Sequence, residues 1–207
     1  MPHGTLGTSR TVEAAMARSS QQKGKSTDYE FVTVWRVAGT REEVVDILGD
    51  AGTLTEWWPS VYLTVSPVAR GGPDGVGASF DLHTKGWLPY TLRWRLTITE
   101  PVTLDGFALT AKGDLDGTGR WTFETDGPEV VITYDWRVST AKPLLRRLSW
   151  LLKPAFSANH HWAMARGEES LKLELRRRRS TADPARVPAP PGPTFTPRRK
   201  ATPGQRS

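Results

Sequence analysis

The sequence predicts an α+β fold: an antiparallel sheet with one buried face, two short helices after the first strand, and one long helix at the C-terminal end. Three observations lead there. Hydrophobic residues alternate with a period of two through most of residues 62–140. Helical spacing replaces that alternation in residues 40–61 and 159–179. The two ends, 1–27 and 180–207, are too polar or too rich in proline and basic residues to bury a core, and read as disordered tails.

The first strand is YEFVTVWRVAG (29–39), with Phe31, Thr33, Trp35 and Val37 on one face. Helical spacing follows at once. Thr40 and Glu43 have the T-x-x-E spacing of a capping box, and Val44, Ile47 and Leu48 form the apolar side. GTLTEWWPSV (52–61) is a second short helix or turn, stopped ahead of Pro59. A series of strands then runs over 62–68, 75–86, 88–100, 104–113, 116–126 and 128–140. In the third of these, Leu92, Trp94, Leu96 and Ile98 share a face; in the last, Val130, Ile132, Tyr134, Trp136 and Val138 do. Such alternation suits an antiparallel sheet wet on one side and buried on the other. DG, GG and GP pairs between the strands suit hairpins.

The final helix, 159–179, carries Phe156 just ahead of it and His160, Ala163, Met164, Gly167, Leu171 and Leu175 in one stripe roughly 120° wide. Gly167 lies in the middle of that stripe, where glycine costs about 1 kcal/mol against alanine. It lets the backbone approach the sheet, or leaves room beneath the helix. The basic run Arg176–Arg179 falls where cations favour a helix C-terminus.

Charge is divided unevenly. Residues 28–175 hold 15 Lys/Arg against 20 Asp/Glu, whereas the two ends hold the remaining 13 basic and 2 acidic residues. The basic excess is therefore in the tails, and the acidic core is not expected to bind nucleic acid. With no cysteine, disulfides, thiolate metal sites and cysteine nucleophiles are excluded, which fits a cytoplasmic protein. The apolar cluster 144–156 is interrupted by Arg146, Arg147, Lys153 and Pro154 and is too short for the ~20 residues of a membrane span. It reads instead as a basic, amphipathic segment. Arg146, Arg147 and Trp150, together with the basic tail, are candidates for transient contact with an anionic membrane, which would make the protein peripheral; packing as a lid beside the last helix is the alternative.

Element order and two motifs, VAGTREEVVDILGDAGTLTEWWPSV (37–61) and NHHWAMARGEESLKLEL (159–175), resemble the START-like superfamily, which includes polyketide cyclase/dehydrase-like and lipid-transfer members. The resemblance spans residues 28–179. It implies the helix-grip fold, a curved antiparallel sheet wrapped around the long C-terminal helix, with a gap between them that takes an apolar or aromatic molecule. The superfamily shares no catalytic motif, so the resemblance transfers no catalytic residue.

On that architecture the candidate ligand-binding residues are Trp35, Trp58, Phe80, Trp94, Phe107, Trp121, Phe123, Tyr134, Trp136, Phe156, His160, Met164 and Gly167. The same pattern also describes a plain aromatic core. His160 and Tyr134 are the candidate proton-transfer groups, should the cavity host a cyclase or dehydrase reaction; a hydrogen-bonded core histidine is the simpler reading of His160. Neighbouring helical residues point 100° apart, so His160 and His161 do not form a metal site, and no metal or cofactor is expected. Three functions stay open: carriage of a hydrophobic small molecule, polyketide-type catalysis in the same cavity, and a surface adaptor built on the basic tail.

Overall fold

The structure is a computed structural model that describes residues 29–140, 149–180 and 184–194; side chains are described for these except Thr140 and residues 149–153. Seven antiparallel strands form one sheet: β1 (Tyr29–Ala38), β2 (Tyr62–Ala69), β3 (Ser79–Lys85), β4 (Thr91–Ile98), β5 (Gly106–Gly113), β6 (Leu115–Asp126) and β7 (Glu129–Thr140). Their order across the sheet is β1-β7-β6-β5-β4-β3-β2. Strands β2 to β7 are thus a simple meander, and β1 closes on β7 at the far side. Helices α1 (Arg41–Leu48) and α2 (Leu54–Trp57), with a 3-10 turn at Ala51–Thr53 between them, connect β1 to β2. The long helix α3 (Ser149–Arg179) packs against β1, α1 and α2. This is the helix grip that the sequence predicts.

The period-two faces hold. Phe31, Trp35 and Val37 are buried on β1, as are Trp94, Leu96 and Ile98 on β4 and Val130, Ile132, Tyr134, Trp136 and Val138 on β7. The outer face carries the charges, paired as Arg95–Asp81, Arg120–Glu100 and Arg137–Asp135. These exposed pairs add little stability, since solvent screens the attraction and holding two long side chains in one geometry costs entropy. The capping box also forms. The Thr40 N–H donates to Glu43 Oε2 at 2.9 Å, and the Glu43 N–H donates to Thr40 Oγ1 at 3.4 Å.

The basic run at the end of α3 does more than meet a helix dipole. The Arg179 guanidinium donates to both Glu43 carboxylate oxygens at 2.6 Å and to the Ala38 carbonyl at 2.9 Å. It holds the Glu43 carboxyl below its ordinary range. Arg177 and Arg178 both pair with Glu174. The end of α3 is thereby tied to the start of α1, which fixes the helix across the sheet.

Two features differ from the sequence expectations. Helix α3 begins at Ser149 rather than 159 and continues through Pro154. An interior proline removes one backbone donor and crowds the preceding turn; the helix and its apolar stripe carry on through Phe156 regardless. Secondly, residues 184–194, within the stretch read as a disordered tail, carry defined contacts. A 3-10 turn forms at Pro184–Arg186, close after α3, and Thr194 meets the end of β3. The N-terminal tail 1–27 and the membrane-contact candidates Arg146 and Arg147 lie outside the described residues, as does the side chain of Trp150.

Candidate functional site

Between sheet and helix lie two small spaces in series. The outer chamber, about 110 Å³, is bordered by Tyr62, Leu92, Trp94, Leu115, Tyr134 and Trp136 from the strands and by Phe156, Asn159, His160, Ala163 and Met164 from α3. The inner chamber, about 40 Å³, lies toward α1 among Leu48, Leu54, Leu96, Phe107, Leu109 and Trp121. Tyr62, Trp94 and Tyr134 border both. They are the partition between them.

The walls follow from strand register. Trp121 stands opposite Tyr134 across β6 and β7, and their rings stack at 4.0 Å with planes 19° apart. Tyr134 stacks in turn with Trp136 at 5.5 Å, and Trp136 lies 5.9 Å from Trp94. The result is a row of four rings along the concave floor. Gly119 makes room for it, since a β-carbon there would press on the Tyr134 hydroxyl and the Trp136 ring. Trp94 is held by its indole N–H, which donates to Thr84 Oγ1 at 3.1 Å.

The polar groups of the cavity are phenols, an imidazole and an amide, with Thr84 and Lys85 at the border of the outer chamber. Burial pushes the Tyr62 and Tyr134 phenols above their ordinary range. Tyr62 keeps some accessible area because one side of it borders the chamber. His160 stacks on Phe31 at 4.0 Å, and its Nε2 lies 3.4 Å from Thr33 Oγ1. Burial, with a smaller contribution from His161, pushes His160 down to about 4. All three groups are therefore neutral at pH 7. Asn159 Oδ1 accepts from the Leu88 N–H at 3.2 Å and so joins the β3–β4 loop to the helix.

Of the sequence candidates, Trp94, Tyr134, Trp136, Phe156, His160 and Met164 line the outer chamber, while Trp94, Phe107, Trp121 and Tyr134 line the inner one. Trp35, Trp58, Phe80, Phe123 and Gly167 border neither chamber. Gly167 is explained by packing: a β-carbon there would overlap Cζ2, Cε2 and Cη2 of Trp58. The room beneath the helix is real, and an indole fills it.

Sequence reasoning missed Tyr62, Leu92, Leu115 and Asn159 as wall residues. Tyr62 was hidden by a β-bulge. It pairs with Thr84 while Val65 pairs with Leu82, so two residues of opposite parity both face inward around the extra residue Leu63. Period-two reading has no means to see such a shift. Asn159 could have been found only from its contact with a loop 71 residues away.

A larger depression of about 560 Å³ lies on the outer face, over Thr64, Asp81, His83, Arg93, Arg95 and Lys112. It is open to solvent, and three of its charges are already engaged in the pairs Arg95–Asp81 and Lys112–Asp116. Volume alone is a poor guide here: the smaller aromatic space under the helix is the better candidate for an apolar ligand. Among the described residues, no three His, Asp or Glu side chains gather as a metal site, and no helix is long and apolar enough to cross a membrane.

Comparison with known proteins agrees with the architecture. The fold is the START-like helix grip. TTHA0849 from Thermus thermophilus superposes with a TM-score of 0.60 at 16% identity, over 73% of this chain and 100% of that one. The Zhui aromatase/cyclase from Streptomyces sp. R1128 gives 0.56 at 16% identity, over 74% and 97%. A START superfamily protein from Mycobacterium smegmatis gives 0.53 at 15%, over 72% and 98%. At these identities the likeness is one of fold. No family model and no curated protein matches the sequence.

Proposed function

We propose that the protein binds an apolar, ring-containing or lipid-like small molecule between the sheet and α3. The single observation that carries this is the partition. Tyr62, Trp94 and Tyr134 separate two spaces that would be continuous if one ring turned aside. As they stand the chambers are well below the ~300–1,000 Å³ of ordinary ligand sites, and suit about one ring. A larger ligand is accommodated by rotating Tyr62, whose strand begins at a bulge and is the sheet's edge. Binding desolvates the ligand against the aromatic floor; the Tyr62 and Tyr134 hydroxyls and His160 supply orientation through neutral hydrogen bonds.

The polyketide-type catalytic reading has less support from the same groups. A general acid or base works best with a pKa near the working pH. His160 is pushed well below neutrality and both phenols well above it, so neither exchanges a proton readily at pH 7. Their environment suits recognition better than proton transfer.

The test is native mass spectrometry of the purified protein with solvent extraction of whatever travels with it, followed by titration with apolar fluorescent probes. A bound apolar molecule, or probe binding weakened by Trp94→Ala, supports the reading. An empty protein that also ignores lipids and aromatic compounds overturns it.

A further inference from the structure

We propose that residues 184–194 form a strap that clamps the β3–β4 loop at the rim of the cavity, so that the opening widens to pass a ligand only when the strap lets go. The inference builds on the cavity reading above but is tested separately from it. The loop after β3 runs from Gly86 to Tyr90 and forms one side of the outer chamber's rim, with Lys85 and Gly86 among the bordering residues. Among the described residues, attachments on two sides hold it. From inside, Asn159 on α3 accepts the Leu88 N–H at 3.2 Å. From outside, the strap's last described residue makes two bonds: Lys85 Nζ donates to the Thr194 carbonyl at 2.6 Å, and Thr194 Oγ1 donates to the Gly86 carbonyl at 3.2 Å.

The composition of the strap fits a clamp. Five of its eleven residues are proline, so the segment is stiff before it docks and loses little conformational entropy on docking. Its other end is the exposed 3-10 turn at Pro184–Arg186, which follows closely on the end of α3. Val187, Pro190, Pro191, Pro193 and Thr194 are half-buried rather than extended into solvent. The strap contributes no side chain to either chamber. At the cavity it meets only the rim, at the loop that would have to lift, and so acts on access without adding to the ligand's contacts.

The cysteine-free chain permits a direct test in the full-length protein. A single Met164→Cys places a thiol on the outer chamber at a buried position, and its reaction with N-ethylmaleimide reads how often the chamber widens. In one strap variant Lys85→Met and Thr194→Val remove both outer bonds; in another, residues 190–193 become Gly-Ser-Gly-Ser and Lys85 is untouched. We expect labelling roughly tenfold faster in both, with unchanged thermal unfolding, because a local opening is made easier without loss of the fold. Rates equal to the parent in the Gly-Ser variant overturn the proposal. The labelling needs no ligand. Faster labelling in a protein that binds no apolar probe would leave the strap standing and remove the ligand reading.

Discussion

Aromatic residues fill one half of the space under α3 and leave the other half partly open. Around Gly167, Trp58 meets Trp35 at 5.5 Å, Trp57 at 5.3 Å and Tyr62 at 5.2 Å, and the ring lies on the helix where a β-carbon would be. Around His160, the similar set Trp94, Tyr134, Trp136 and Phe156 borders a chamber. Composition does not separate the two. What differs is the direction from which rings arrive. In the filled half, α2 and the residue after it insert two tryptophans from a third side. In the open half rings come only from the sheet floor and the helix, and parallel stacking along the floor leaves the gap between them.

That comparison is broken or sharpened by four measurements. The largest effect belongs to the filled half. Trp58→Ala should lower unfolding free energy by about 3–5 kcal/mol in urea titration, as for other buried aromatic truncations. A loss under about 1 kcal/mol would mean that this half is no better packed than the chamber.

Next comes the acid side of the open half. His160 is held near 4 in the folded protein against an ordinary 6.5. Below pH 6.5 the unfolded chain takes up a proton that the folded one refuses, so the stability is fully present above that pH and is lost on descent to about 4. The loss is at most about 3 kcal/mol. Unfolding measured from pH 7 to about 4 should show that fall, and His160→Gln should flatten it. An unchanged profile would put the histidine outside the buried stack with Phe31.

Gly167→Ala is smaller and tests sign. Helix propensity alone favours alanine by about 1 kcal/mol, but overlap with Trp58 typically costs about 1–3 kcal/mol. The variant should be less stable by up to about 2 kcal/mol in the same urea assay. A gain would show that the indole moves aside freely. Smallest in stability is Tyr134→Phe, expected within about 0.5 kcal/mol of the parent, because only a hydroxyl over Gly119 is removed. Probe affinity measured by fluorescence titration should nonetheless fall roughly five- to tenfold if that hydroxyl is a ligand handle.

Much of the candidate site was legible because a sheet face repeats every second residue. Trp94, Tyr134 and Trp136 are placed inward by alternation alone, and His160 and Met164 by the stripe on α3. The rest was not legible for identifiable reasons. Tyr62 needed the bulge at Leu63, which shifts parity. Asn159 and Thr194 act through the β3–β4 loop, and loop contacts leave no periodic trace. Gly167 stands out in the sequence, but a helix pattern cannot say whether a glycine leaves space or yields it to a neighbour.

By itself the sequence determined the α+β class, the inward faces, the capping box and the separation of basic tails from an acidic core, because each follows from local periodicity, spacing or charge. The tertiary structure alone decided which aromatic half is solid and which is hollow, that Arg179 ties α3 to Glu43, and that Thr194 returns to the rim of the cavity. The last two depend on meetings between residues more than 100 positions apart. Periodicity fixes which way a side chain points, but only the packed chain fixes what it meets there.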